Sequence, residues 1–204
     1  MLLLGRDLSP FVRRTATTLN LLGIFYERKI VAAAEDGELI RRFNPLGRIP
    51  ALVLDNDEVV IDSAAIIDFA LELAENSEQI LPARGDLRRK VLRLSAMATG
   101  AMEKGVTGAY ERTQRPPQFL YEPYRQKVLD QALAGLAEIS SATPKSGYFG
   151  GALPNLADIN AVVAYDFINI VAPDAVGVAS LGALENLSER ANALEAFAST
   201  RWQP

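Results

Sequence analysis

Apolar and polar positions follow two rhythms along this chain, and the change falls near Glu75. Before it, short apolar runs alternate with amphipathic stretches. Leu2–Leu4 predicts a strand. Ser9 is placed to cap a helix with Pro10 at its first position, where a missing N–H costs nothing. Phe11, Val12, Thr15, Leu19 and Leu22 then share one helical face, and Gly23 supplies the stop. Phe25 to Val31 predicts a second strand and Glu38 to Phe43 a short helix. Ala51 to Leu54 and Glu58 to Ile61 flank Asp55-Asn56-Asp57, the pattern of a hairpin. Ser63 is read as the cap of a further helix with Ile66, Ile67, Ala70, Leu71 and Ala74 in a stripe. The order is β-α-β-α-β-β-α, with a parallel pair joined through a helix and an added antiparallel pair.

Beyond Glu75 the strand alternation stops. Residues 77–85, with Pro82 and Gly85, read as a linker. Leu87 to Tyr110 predicts one long helix, with Gly100, Gly105 and Gly108 as places to bend. Arg115-Pro116-Pro117 breaks it, and Tyr121 to Ser140 is the next helix. A helix from Asn155 to about Ile170 carries Ile159, Val162, Val163, Phe167 and Ile170 on one face. Two shorter pieces follow around Leu181 to Glu189 and Ala191 to Ser199. The expected architecture is an α/β domain over 1–76, the linker, and an all-α domain over 86–204.

Composition narrows the chemistry. The 204 residues are 49% hydrophobic and 23% charged, enough to bury a real core. The 21 basic and 25 acidic residues are scattered, which argues against a nucleic-acid groove. With no histidine there is no imidazole base or ligand, and with no cysteine no thiolate, so a hydrolase triad and a metal centre are not expected. Leu2–Leu4 is too short for a secretory signal, and the apolar run around Ile159 to Ala172 is broken by Asn160, Asp166 and Asn169. No membrane partner is expected, and cytoplasm is the expected location.

Three short segments carry candidate chemistry. Ser9 stands at a helix N-terminus, where exposed N–H groups and the macrodipole favour an anion, and its hydroxyl has a proton to donate. It has no base to make it a nucleophile. A plain N-cap is the other reading. Ile49-Pro50 is an X-Pro bond at a strand entry; a cis bond there would leave the Ile49 N–H and C=O to pair with an extended ligand, and an ordinary strand-entry proline is the alternative. Asp62-Ser63 opens a helix directly after a strand, with a carboxylate for an ammonium and a hydroxyl plus helix end for a carboxylate; capping alone is the alternative. Arg48 and Arg13 are candidate counter-charges.

In order and spacing, Ser9-Pro10-Phe11, Asn44-Pro45-Leu46-Gly47-Arg48-Ile49-Pro50 and Asp62-Ser63-Ala64-Ala65-Ile66 resemble the cytosolic, bacterial-type glutathione S-transferases. The resemblance implies a thioredoxin-like fold for residues 1–76. It implies that Ile49 pairs with the cysteinyl backbone of glutathione, that Asp62 and Ser63 hold its γ-glutamyl end with Arg48 nearby, and that Ser9 hydrogen-bonds its sulfur. Asn155-Leu156-Ala157-Asp158 is similar to the family's capping box in the helical domain, with Asn in place of Ser or Thr. Glutathione would be a co-substrate, with no separate cofactor. Around the pocket for the second substrate, a small hydrophobic electrophile, the candidates are Phe11, Met97, Ala101, Lys104 and Tyr110. A homodimer is implied, with Phe69 to Leu73 and Leu87 to Leu94 as the apolar surface; joining the two domains internally is the other use for those residues.

Departures matter as well. Ser9 replaces the cysteine of Cys-Pro-Phe relatives, so thiol transfer and dehydroascorbate reduction are not expected, and the Ser-Ser-Cys-Ser motif of maleylacetoacetate isomerases is missing. A plain thioredoxin-type redox protein is excluded by the lack of Cys-X-X-Cys. The rival function is a non-catalytic binding or regulatory module on the same fold.

Overall fold

Neighbouring residues of a strand face opposite ways, so the wholly buried pair Leu3 and Leu4 requires a sheet covered on both sides. The computed structural model describes residues 1–33 and 35–203. β1 (Leu2–Leu4) lies inside a four-stranded sheet of order β2-β1-β3-β4, with β2 (Glu27–Lys29), β3 (Ala51–Val53) and β4 (Val59–Ile61). β1 and β2 are parallel and joined through α1 (Pro10–Leu22); β3 runs antiparallel to both β1 and β4. The β3–β4 turn closes where Leu54 N–H donates to the Glu58 carbonyl at 2.8 Å and Asn56 Oδ1 accepts from Glu58 N–H at 3.1 Å.

Leu4 packs with Val31 and with Ile40 of α2 (Gly37–Arg41) on one face of the sheet. On the other, α1 packs on α3 (Ser63–Leu73), and Val12, Ala16, Leu19, Ile66 and Ala70 are buried. The second strand is shorter than its apolar pattern suggested, because β1 offers three residues for it to pair with; Phe25 and Ile30 stay exposed.

Residue contacts divide the chain into two compact units. The first is Met1–Pro82 together with the C-terminal stretch from Asn192; the second is Ala83–Ala191. Part of the expected linker is one helical turn, α4 (Ser77–Ile80), held by the fully buried Ile80. The second unit contains α5 (Gly85–Thr113), a 3₁₀ turn at Pro117–Phe119, α6 (Glu122–Ala142), α7 (Leu156–Val171), α8 (Pro173–Gly177) and most of α9 (Gly182–Asn192). α7 is buried at every position from Leu156 to Ile168, as befits a helix with neighbours all round.

One expectation is met and one corrected here. α5 is one long helix, as expected, and two of its glycines admit neighbours: a Cβ on Gly105 would stand 3.1 Å from Phe167 and Ile168, and one on Gly108 would stand 2.9 Å from Leu129. The tail, expected within the helical domain, belongs instead to the first unit, where α10 (Glu195–Ala198) packs on α1 with Phe197 fully buried.

Candidate active site

The register Leu4↔Ala51↔Ile61 places the end of β1, the start of β3 and the end of β4 along one edge of the sheet. Strands lie about 4.8 Å apart, so whatever leaves that edge is clustered. The segments that leave it are the loop from Gly5 to Ser9, Ile49-Pro50, and Asp62-Ser63. The sheet thus brings together the three segments singled out in the sequence.

Ser9 is the N-cap of α1. Its Oγ accepts from Val12 N–H at 3.4 Å and its N–H donates to the Arg6 carbonyl at 3.1 Å. That leaves the hydroxyl hydrogen to donate, at the end of a helix whose dipole favours negative charge. The loop before it is tied to β2, where Arg28 pairs with Asp7 at 2.5 Å and donates to the Gly5 carbonyl at 3.4 Å.

The Ile49-Pro50 bond is cis. The Ile49 side chain packs against the Leu4, Val31 and Ile40 cluster, while its N–H and C=O enter no turn or loop hydrogen bond with the backbone of the described residues. Asn44 organises the preceding turn. Its Oδ1 accepts from Leu46 N–H at 3.0 Å, its Nδ2 donates to the Arg48 carbonyl at 2.9 Å, and its own carbonyl accepts from Gly47 N–H at 2.8 Å. The Arg48 side chain is exposed. Asn44 stood in the motif, yet its role was not singled out; an Asn directly before Pro-Leu-Gly, the composition of a side-chain-closed turn, was the available signal.

At the third segment the cap is Asp62, not Ser63. Asp62 adopts φ 72° and its Oδ1 accepts from Ala64 N–H at 2.8 Å, so Ser63 becomes the first residue inside α3. Asp62 is exposed. Ser63 is buried, and its Oγ accepts from Arg14 Nη1 at 3.1 Å. Sequence reasoning missed Arg14, because an arginine among polar helix positions reads as a solvated surface residue. Arg13, a candidate counter-charge, donates to Asn192 Oδ1 at 2.8 Å.

The candidates for a second-substrate pocket are not all brought together. Met97, Ala101 and Lys104 share a face of α5, but Ala101 is buried against α6 opposite Gly135. Tyr110 lies about 120° around the helix from Lys104 and is half exposed. Phe11 belongs to the first unit and is partly buried. Among the described residues, no group of acidic side chains could hold a metal ion, and no helix is long and apolar enough to cross a membrane.

Taken together, the edge offers a hydroxyl donor at Ser9, a peptide unit at Ile49, an exposed carboxylate at Asp62, and a hydroxyl with a helix end at Ser63. Such a row suits an extended, peptide-like ligand with an ammonium and a carboxylate at one end and a soft anion near Ser9.

The fold and this edge define a thioredoxin-like domain followed by a helical one. A family model described as the N-terminal domain of glutathione S-transferase matches residues 8–73. The uncharacterized GST-like protein YibF of Escherichia coli K12 is 31% identical over 183 residues, covering 85% of each chain. The chain belongs to the glutathione S-transferase family. Among solved structures, a glutathione S-transferase of Methylobacterium radiotolerans in complex with glutathione sulfonate superposes with a TM-score of 0.90 at 23% identity, over 100% of this chain and 96% of that one. One from Methylobacillus flagellatus with glutathione bound gives 0.88 at 22% identity, over 98% of each. These two likenesses establish the fold.

Proposed function

We propose that this chain is a glutathione transferase: it binds glutathione along the sheet edge of its first unit and presents the thiolate to a small hydrophobic electrophile. The observation that carries the reading is the convergence of Ser9, Ile49 and Asp62-Ser63 on that one edge. Ile49 pairs with the cysteinyl backbone in the manner of a short added strand. Asp62 takes the γ-glutamyl ammonium, Ser63 and the first turn of α3 take its carboxylate, and Arg48 lies beside the turn as a counter-charge. Ser9 donates to the sulfur and so favours the thiolate over the thiol. The thiolate attacks the electrophile directly, with no covalent intermediate on the protein.

Turnover of an activated aryl halide with glutathione tests this reading. Ser9→Ala is expected to lower kcat about 10- to 100-fold, the worth of one hydrogen bond to a charged group, while glutathione affinity in calorimetry stays close to wild type. Normal turnover by that variant would remove Ser9 from the chemistry. No glutathione binding at millimolar concentration would favour the rival reading, a non-catalytic module.

Two copies of the chain are part of the proposal. Leu73 on α3 and Leu87 and Leu92 on α5 are exposed apolar side chains; in this reading they meet a second copy. Sedimentation should find a dimer, and a monomer at all concentrations would contradict it.

A further inference from the structure

Arg14 is only 5% exposed, a costly place for a guanidinium unless it is well bonded. One of its bonds runs from Nη1 to Ser63 Oγ, 3.1 Å away and buried. It links the second turn of α1 to the first residue of α3. An arginine donates and never accepts, so the Ser63 oxygen is the acceptor in this contact. Its own hydroxyl hydrogen is left to donate elsewhere.

We propose that Arg14 is a positioning residue for the acid-serine subsite: it fixes the Ser63 hydroxyl as a donor toward a ligand carboxylate at the start of α3. The inference rests on the glutathione reading above and adds to it a residue that touches no ligand atom. Two physical effects act together. A serine hydroxyl near a helix end otherwise rotates among local backbone partners, and the arginine bond holds the oxygen in place. A bond from a charged donor also polarises the O–H beyond it, which strengthens the next hydrogen bond in the chain. Arg14 therefore acts on recognition of the γ-glutamyl carboxylate, at the opposite end of the ligand from its sulfur.

The test compares glutathione with the analogue in which γ-aminobutyrate replaces the γ-glutamyl residue, removing that one carboxylate. Calorimetry on the wild-type protein should show glutathione preferred by about 10- to 100-fold. Arg14→Met should lose most of that preference by weakening glutathione while the analogue binds as before, and Ser63→Ala should lose it to the same extent. The double variant should be no worse than either single one. In turnover, the loss should fall on KM for glutathione more than on kcat. A general structural role would weaken both ligands alike, and that result would overturn the inference, as would a full preference retained in Ser63→Ala. Should Arg14→Met not fold, Arg14→Lys reads the same quantity. Its compact ammonium does not reproduce the planar fork, so its preference must fall between wild type and Ser63→Ala, and a wild-type preference there overturns the inference. Failure of the wild-type protein to bind glutathione would instead bring down the functional reading and this inference together.

Discussion

Asp158 is wholly buried and accepts two backbone hydrogen bonds, from Phe149 N–H at 3.0 Å and Asn155 N–H at 2.9 Å. With Asn155 Oδ1 accepting in return from Ala157 and Asp158 N–H, it completes the box that starts α7. Burial pushes its carboxyl up to about 6, against the pull of those N–H groups and of Arg190. A carboxyl raised on folding binds its proton more tightly in the native state, so its contribution to stability is complete below about pH 4 and is lost as pH rises through about 6. Relative to Asp158→Asn, the wild-type protein should therefore gain roughly 2 kcal/mol between pH 7 and pH 4, read from urea unfolding at each pH. A difference that stays flat over that range would place the ionised form at no disadvantage. The box was legible beforehand because a cap is a local pattern, an amide three residues before an acid. The Arg14–Ser63 bond was not, because it joins two helices 49 positions apart in the chain. Asp62 and Ser63 are both good caps; the left-handed φ of Asp62 decided between them, and no sequence pattern shows that.

Elements were more legible than their contacts. The hairpin followed from Asp55-Asn56-Asp57 between two apolar runs, and α1 from Ser9-Pro10 at its start and Gly23 at its end. Glycines within α5 were harder, since a bend and a close approach leave the same letter in the sequence. The structure separates them: Gly100 has open space where a Cβ would go, while Gly108 meets Leu129. Opposite substitutions should follow. Gly100→Ala should raise stability by about 0.5–1 kcal/mol through the unfolded chain's lost freedom. Gly108→Leu should lower it by about 1–3 kcal/mol by overpacking the α5–α6 contact. Denaturant midpoints of the two variants, moving in opposite directions, are the check. Asn44 works at the same scale, since three of its polar groups shape the turn that delivers Ile49. Asn44→Ala should weaken glutathione binding more than Arg48→Ala, whose side chain is exposed.

At the scale of the whole chain, the first unit is discontinuous: the helical unit is inserted between Pro82 and the stretch that begins at Asn192. That stretch is tied to α1 by Thr17 and Thr200 sharing a hydrogen bond at 2.9 Å, by Asn20 Nδ2 donating to the Ala196 carbonyl at 3.2 Å, and by the burial of Phe197. The sequence showed a short helix there and nothing of its partner, because an amphipathic face states that it must be covered without stating by what. Phe197→Ala should cost about 3–5 kcal/mol, and hydrogen exchange should show the loss at α1 first. A loss of protection confined to α5 and α7 would contradict that assignment. The insertion also orders events on the ribosome, where chains emerge from the N-terminus and domains tend to fold as units. The residues of the proposed ligand edge are made early, yet the outer side of the helix that begins at Ser9 stays bare until Phe197 has been added. An interrupted chain consequently lacks the partners that Thr200 and Ala196 give Thr17 and Asn20, and a protease that cuts loosely held helices can tell the two apart.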